Sequence, residues 1–405
     1  MPDIEAAKTA AQEAIDAVSK ELRGISLSIH GKPELNFEEH HASALLAGYL
    51  EQKGFQVRSG AYEMATAFEA VAGSGSPTIA VMCEYDALPG IGHACGHNLI
   101  AISGVAAGLA LKAALGEGNG TVVVLGSPAE EGGGGKVFMI ERGAFEGVDA
   151  AMMLHPAPVD RVWIQAAALH TLQVEFHGKN AHAGFSPWEG VNALDAMVLA
   201  FNAISLMRQQ MRPTDRVHGV ITDGGVKPNI IPDHTAAEFY VRALNSRQLE
   251  DLKTKAVACF EGAAAATGCT LDRRWVGRLY EDVVTNDAMA EAYAANFAVV
   301  GGVMEPKSAA SAGGGSTDMG NVSYTVPSIH PMFGIPTVAG AANHTPGFTA
   351  CAATEEAHAN TIRAAKALAL TGIDLYLRPG LLEQAKSEFA EVTRGENDGA
   401  ERLTA

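Results

Sequence analysis

The chain has 405 residues, 47% hydrophobic and 19% charged, with a net charge of −17. That length predicts two domains, and the composition is that of a globular rather than a disordered protein. The acidic balance excludes a nucleic-acid partner, because no large face neutralises phosphates. A local arginine still permits an anionic small substrate.

No basic segment followed by an apolar one opens the chain, so no secretory leader is expected. No apolar stretch is expected to span or contact a membrane. Five cysteines (Cys83, Cys95, Cys259, Cys269, Cys351) are odd in number and scattered. This predicts free thiols and a cytoplasmic protein.

Residues 4–23 and 38–53 read as amphipathic helices, the second stopped by Gly54. Ala80 to Glu84 is a short apolar run ending in a carboxylate, as a buried parallel strand would be. Residues 98–115, rich in Ala and Gly, read as a buried helix. Residues 122–125 and 148–154 read as further strands, the last ending at His155. Strands alternating with helices predict an α/β fold, with a mainly parallel sheet flanked by helices. The middle of the chain differs. Strands at 169–176, 217–222, 236–244 and 269–276, with helices at 190–212 and 247–267, predict a ferredoxin-like α+β module. It is placed as an insertion at 168–282, dividing a catalytic domain of residues 1–167 and 283–405. The polar tail from Arg394 is expected to fray.

Chemistry concentrates at the ends of the strand-like runs, where α/β sheets place their binding crevices. His93, Cys95 and His97 lie within five residues, just after Glu84 and Asp86. Thiolate with imidazole suits zinc and similar metals. Glu130-Glu131 follows the next strand. Alone, it reads as a solvated acidic turn. Beside a divalent cation, one carboxylate binds metal while its neighbour takes a proton from activated water. The glycines that follow, Gly132 to Gly135, do not form a phosphate loop: Glu130 and Val137 occupy positions where that motif needs Gly and Ser or Thr. They are expected to let the backbone pass close to the metal site.

His155 alone reads as a core histidine, and His344 as part of a helix-preceding turn. Both gain meaning because a two-metal site needs more nitrogen ligands than residues 93–97 supply. His182, in an expected turn of the inserted module, is either an exposed loop histidine or a donor to a developing oxyanion. Asn229 is either a turn residue or a polar group for substrate. Arg242 is either half of a structural ion pair or a bidentate partner for a substrate carboxylate.

With these residues in place, the chain resembles the M20 metallopeptidases, in their amidohydrolase branch. The resemblance runs from Ile29-His30-Gly31-Lys32-Pro33-Glu34-Leu35 to beyond His344. It is carried by His93-Ala94-Cys95-Gly96-His97 and Pro128-Ala129-Glu130-Glu131-Gly132. Glu84-Tyr85-Asp86-Ala87-Leu88-Pro89 and Gly315-Ser316-Thr317-Asp318-Met319-Gly320-Asn321 are most similar to a β-alanyl-lysine dipeptidase-like subgroup. The resemblance implies one or two divalent ions (Zn, Mn, Ni or Co) per subunit, with Cys95 in the place of a bridging carboxylate. His97 and His155 would complete one position, Glu131 and His344 the other. His93 is part of the motif without being a ligand. Glu130 would be the general base, and Asp86 would orient a ligand histidine. His182 would stabilise the oxyanion, in its own or a partner's site, and Asn229 and Arg242 would touch the substrate. The inserted domain would serve as lid and homodimer surface. Two motifs depart from the branch: Asn98 stands where Asp is usual, and Thr317-Asp318-Met319 replaces Glu-Asp-Phe.

The expected activity is metal-dependent hydrolysis of an N-acyl or N-aminoacyl amino acid, a dipeptide or an aryl amide. The alternatives are hydrolytic deamination of an aromatic amine or amidine at the same site, and a non-catalytic metal- or ligand-binding protein on the same scaffold.

Overall fold

The computed structural model describes residues 3–115, 118–307 and 315–401, with side chains through Thr393. The chain forms two compact units. One holds Met1–Ile164, Val283–Ser311 and Asp318–Ala405, and the other Gln165–Asp282 with Ala312–Thr317.

The first unit opens with α1 (Ile4–Gly31) and α2 (His40–Gln52). Helix α1 runs eight residues beyond the expected end at 23. Its buried stripe of Ala7, Ala11, Ile15 and Leu22 continues through Ile25 and Ile29 at helical spacing, so burial outweighs the small cost of Gly24. Then come β1 (Gln56–Ser59), β2 (Phe68–Ser74), β3 (Thr78–Glu84), α3 (His97–Leu115), β4 (Gly120–Ser127), α4 (Gly135–Glu141), β5 (Ala150–Met152) and β6 (His155–Ala157).

The second unit follows as β7 (Ala168–His177), α5 (Ala193–Met207), β8 (Arg216–Asp223), β9 (His234–Ala243), α6 (Ser246–Thr267) and β10 (Thr270–Tyr280). The chain then returns to the first unit with α7 (Asp287–Val299), α8 (Met319–Ser323), β11 (Ser328–Ile329), β12 (Met332–Gly334), α9 (Pro346–Cys351), α10 (Glu355–Leu377) and α11 (Leu381–Glu401). The polar segment from Arg394 thus continues the last helix.

The main sheet of the first unit has the order β1-β2-β4-β3-β5-β11. From β4 to β11 its pairings are parallel. Strands β1 and β2 add antiparallel pairings at one side, so the sheet is mixed and mainly parallel, as expected. The expected strand at 148–154 is shorter, β5 in the main sheet, and a separate strand β6 follows it and pairs with β12.

Strand β3 is buried on both faces. Ile79, Val81 and Cys83 enter one apolar cluster, Ala80 and Met82 another. Helix α3 is buried almost throughout. By length and composition it could cross a membrane, but 89% of that window is buried within the protein. It lies very close to β3. A Cβ on Gly104 would fall 2.3 Å from the Met82 carbonyl oxygen, so only glycine fits there.

In the second unit the order is β10-β7-β9-β8, with every neighbouring pair antiparallel. This is the ferredoxin-like arrangement. Leu172, Val174 and Phe176 of β7 and Ala237, Phe239 and Val241 of β9 alternate into a core with α5 and α6. Asn192 and Asn245 cap those helices by accepting from the backbone N–H of Leu194 and Gln248. The opposite face of the sheet is polar.

Candidate metal centre

The centre is assembled at the carboxyl ends of β3, β4 and β5. After β3 the chain passes through Asp86 and Cys95 before α3 begins at His97. After β4 it reaches Glu130 and Glu131. His155 starts β6, and His344 lies just ahead of α9. Two of the residues that shape the centre have strained backbones: Ala129 (φ 56°) and His344 (φ 67°) are left-handed without being glycine. The His344 N–H donates to the Ala94 carbonyl at 2.8 Å, joining that loop to the cysteine segment.

Ligand atoms of Cys95, His97 and His155 all lie within 4.8 Å of one another, and so do those of Cys95, Glu131 and His344. Cys95 belongs to both groups. Its Sγ is 3.4 Å from His155 Nε2, while His344 Nε2 is 3.3 Å from Glu131 Oε1. The rings are aimed from behind. His97 Nδ1 meets Asp86 Oδ1 at 2.9 Å, and His155 Nδ1 meets the Pro156 carbonyl at 2.8 Å. Each bond fixes an Nδ1–H tautomer and turns the Nε2 lone pair inward. His97 Nε2 is buried with no hydrogen-bond partner, and buried Glu131 Oε1 has only the His344 ring beside it, at 3.3 Å. Orphaned donor atoms converging on a thiol are what a divalent ion would satisfy, so these residues fit such an ion. The sulfur, nitrogen and oxygen set suits zinc and its first-row neighbours.

Protonation follows the same layout. Burial works against a charged Cys95, yet the adjacent His155 carries its thiol well below the ordinary value. Hydrogen bonding to Cys95, and then to Glu131, raises His344 to about 10. Burial works against a charged His97, but Asp86 outweighs it and lifts the ring well above its usual value. Thiolate and imidazolium therefore neutralise one another until a metal displaces the protons.

Beneath this layer is a buried ionic cluster. Lys136, fully buried in α4, donates to Glu84 and to Asp318 Oδ1 at 2.7 Å, and its backbone N–H donates to Asp318 Oδ2 at 2.8 Å. Ligand oxygens of Glu84, Asp318 and Glu130 lie within 4.8 Å of one another. Burial, then the charges of Glu84 and Glu131, push Glu130 well above the usual carboxylate range. With three carboxyls around one ammonium, Glu130 is the group that holds a proton most readily in the metal-free protein. Its Oε2 is 3.9 Å from His97 Nε2.

The glycines after Glu131 serve a contact other than the one expected. A Cβ on Gly135 would fall 1.8 Å from the Pro128 carbonyl oxygen, so the run lets the loop fold back on itself and start α4. His93 turns away, its Nε2 3.2 Å from the Ile29 carbonyl. Asn98 also points away, donating to Ser26 Oγ at 2.8 Å and the Ala352 carbonyl at 3.0 Å. Its departure from Asp therefore concerns helix packing rather than the centre. Sequence reasoning gave no role to Lys136, to Asn343, whose Nδ2 reaches Cys95 Sγ at 3.8 Å, or to His330, whose ring stacks edge-on to His155 at 5.6 Å. A lysine directly after four glycines was the one available signal.

His182, Asn229 and Arg242 belong to the second unit. His182 bridges to Ile230, and the Asn229 carbonyl accepts the Ala183 N–H at 3.0 Å, so their segments are neighbours. Both residues are exposed. Arg242 is half-buried near the end of β9, with a buried Nε lacking any hydrogen bond and Nη1 3.5 Å from Ser316 Oγ. Among the described residues no carboxylate pairs with it, which disposes of the structural ion pair.

Known proteins match this chain in sequence and in fold. A family model described as "Peptidase dimerisation domain" matches residues 167–267. A mouse (Mus musculus) protein named "Xaa-Arg dipeptidase" is 45% identical over 403 residues, covering 96% of this chain and 93% of that one. An Escherichia coli protein, one of the subunits of a p-aminobenzoyl-glutamate hydrolase, is 30% identical over 461 residues, covering 94% of each. Among solved structures, a Bacillus subtilis protein described as a dinuclear metal binding peptidase from the M20 family superposes with a TM-score of 0.68 at 22% identity, covering 89% of this chain and 99% of that one. The protein is thus an enzyme of the metal-dependent amidohydrolase class. The chain belongs to the M20 metallopeptidase family, in its amidohydrolase branch.

Proposed function

We propose that the chain hydrolyses the amide bond of N-aminoacyl or N-acyl amino acids, with dipeptides ending in a basic residue as the favoured class. The observation that carries the reading is the place of Cys95 in both ligand groups, with Glu130 beside them. The name of the mouse relative supports the basic residue.

A divalent ion bound by Cys95, His97 and His155, or by Cys95, Glu131 and His344, supplies Lewis acidity toward water and the scissile carbonyl. Glu130 takes the proton from the attacking water and returns it to the leaving amine, a task its raised affinity for protons suits. Asp86 holds His97 in register. Lys136 holds Glu84 and Asp318 in place behind Glu130. To His182 we assign hydrogen bonding to the developing oxyanion. To Asn229 we assign the substrate's carbonyl, and to Arg242, which lacks a carboxylate partner, the substrate's carboxylate.

We also propose a homodimer, supported by the dimerisation-domain match over residues 167–267. Its mass in solution by light scattering tests this. Five free thiols support a reducing compartment, the cytoplasm.

The test of the activity is a hydrolysis screen on protein reconstituted separately with Zn, Mn, Ni and Co. It compares Xaa-Arg and Xaa-Lys dipeptides, N-acetyl amino acids and p-aminobenzoyl-glutamate. Chelator-sensitive release of arginine or lysine is expected. Release of ammonia instead, or no turnover with any metal, would overturn the reading.

A further inference from the structure

The polar face of the second unit carries a histidine–carboxylate cluster that the hydrolytic reaction does not use. His177, the last residue of β7, lies directly across from His234, the first of β9, with ring centroids 5.2 Å apart. Glu175 is on the same face of β7, two residues earlier. Directly across from Glu175, on β10, is Asp272.

Two carboxylates opposed across a ladder repel and destabilise a sheet unless something positive lies between them. Among the described residues, no lysine or arginine bonds to Glu175, Asp223 or Asp272; their cationic partners are the two histidines. Arg274, on the same face, donates instead to Gln173 Oε1 at 2.8 Å. When both imidazoles are neutral, Glu175 keeps only the through-space pull of Arg274, and no lysine or arginine is bonded to Asp223 or Asp272 among the described residues.

The atoms are already close to a coordination sphere. Ligand atoms of Glu175, His177 and His234 all lie within 4.8 Å of one another. His234 Nε2 is 3.1 Å from Glu175 Oε2, and His177 Nε2 is 3.2 Å from Asp272 Oδ2 and 4.0 Å from Glu175 Oε2. A tetrahedral ion with bonds of about 2.0–2.1 Å holds its ligand atoms roughly 3.3 Å apart. Two of these three separations fit as they stand, and the third, His177 Nε2 to Glu175 Oε2 at 4.0 Å, is longer.

Two further details fit a bound metal. His177 Nε2 is covered from solvent and makes no hydrogen bond, although it faces the carboxylates. His234 Nδ1 is 2.8 Å from Asp223 Oδ2, the carboxylate-behind-histidine arrangement that orients metal-bound imidazoles.

We propose that Glu175, His177, His234 and Asp272 form a divalent transition-metal site of the zinc class on the open face of this sheet, with Asp223 fixing the His234 ring. The site is separate from the sulfur-containing centre. It would clamp the ends of β7, β9 and β10 together.

The test is titration of the full-length protein with Co²⁺ alone, followed by visible absorption and metal analysis. Cobalt at the Cys95 centre gives a sulfur charge-transfer band, and the nitrogen–oxygen site gives only d–d bands. Wild type is expected to bind one more equivalent per chain than Glu175→Gln or His177→Asn. Both variants should keep the sulfur band and amidase activity within about twofold, since neither residue touches the reaction. The retained sulfur band also shows that each variant is folded. Equal cobalt stoichiometry in wild type and both variants, with identical d–d intensity, would overturn the proposal.

Discussion

Asp86 Oδ1 lies 2.9 Å from His97 Nδ1, with both side chains wholly buried, and the second oxygen of the same carboxylate accepts the Glu131 N–H at 2.9 Å. One buried acid thus aims a ligand ring and fixes the backbone of a ligand carboxylate on the neighbouring loop.

Asp86→Asn keeps the shape but removes one charged acceptor, so one of the two bonds is lost. Metal affinity is expected to fall about 10–100-fold. Competition with a chromophoric chelator measures it. Unchanged affinity would remove Asp86 from the support of the centre.

Glu130→Gln leaves every atom of the two Cys95 groups in place. We expect turnover to drop about 10²–10⁴-fold with metal content per chain unchanged. Full activity, or loss of metal in step with loss of rate, would show that Glu130 is not the proton carrier.

Lys136→Met strips the cation from between Glu84 and Asp318, leaving buried carboxylates uncompensated. Breaking one partner of such a cluster costs about 3–5 kcal/mol, read as a lower midpoint in urea. The variant should recover part of the loss at acid pH, where the carboxyls take up protons. A midpoint equal to wild type at neutral pH would contradict the pairing.

His170 gives the second unit an acid sensitivity. Its ring stacks on Trp275 at 5.0 Å, and burial, with Lys253 adding, lowers it from its usual 6.5 to about 4. Above pH 6.5 folded and unfolded chains are both neutral there, and the full contribution is present. Below it the unfolded chain protonates first, so stability drains as pH falls from about 6.5 to about 4. His170→Phe should narrow the gap between urea midpoints measured at pH 7 and pH 4.5. An unchanged gap would assign the sensitivity elsewhere.

The βαββαβ pattern made the ferredoxin-like unit legible, because β7 and β9 show clear apolar alternation and two capped helices of ordinary length separate the strands. Glu131 and His155 were legible as candidates because each falls just beyond an apolar run, and Cys95 and His97 because thiol and imidazole cluster within five residues with His93. The antiparallel edge was not. Strand β1 is four largely exposed residues, and β2 alternates only through Phe68, Ala70 and Ala72, a weak signal for pairing direction. The partnership of Lys136 with Asp318 was also hidden. Those residues are 182 positions apart, and local pattern carries no trace of so distant a pairing.

Gly104 stands two helical turns from His97, where α3 presses on the Met82 carbonyl and Cys83 Sγ of β3. A single methyl group at that point would act as a wedge, lifting the helix that presents an imidazole off the strand that presents Glu84. The accuracy of the catalytic constellation is therefore set partly by an empty place in the core, where a mutation could detune the enzyme without altering any atom that meets metal or substrate.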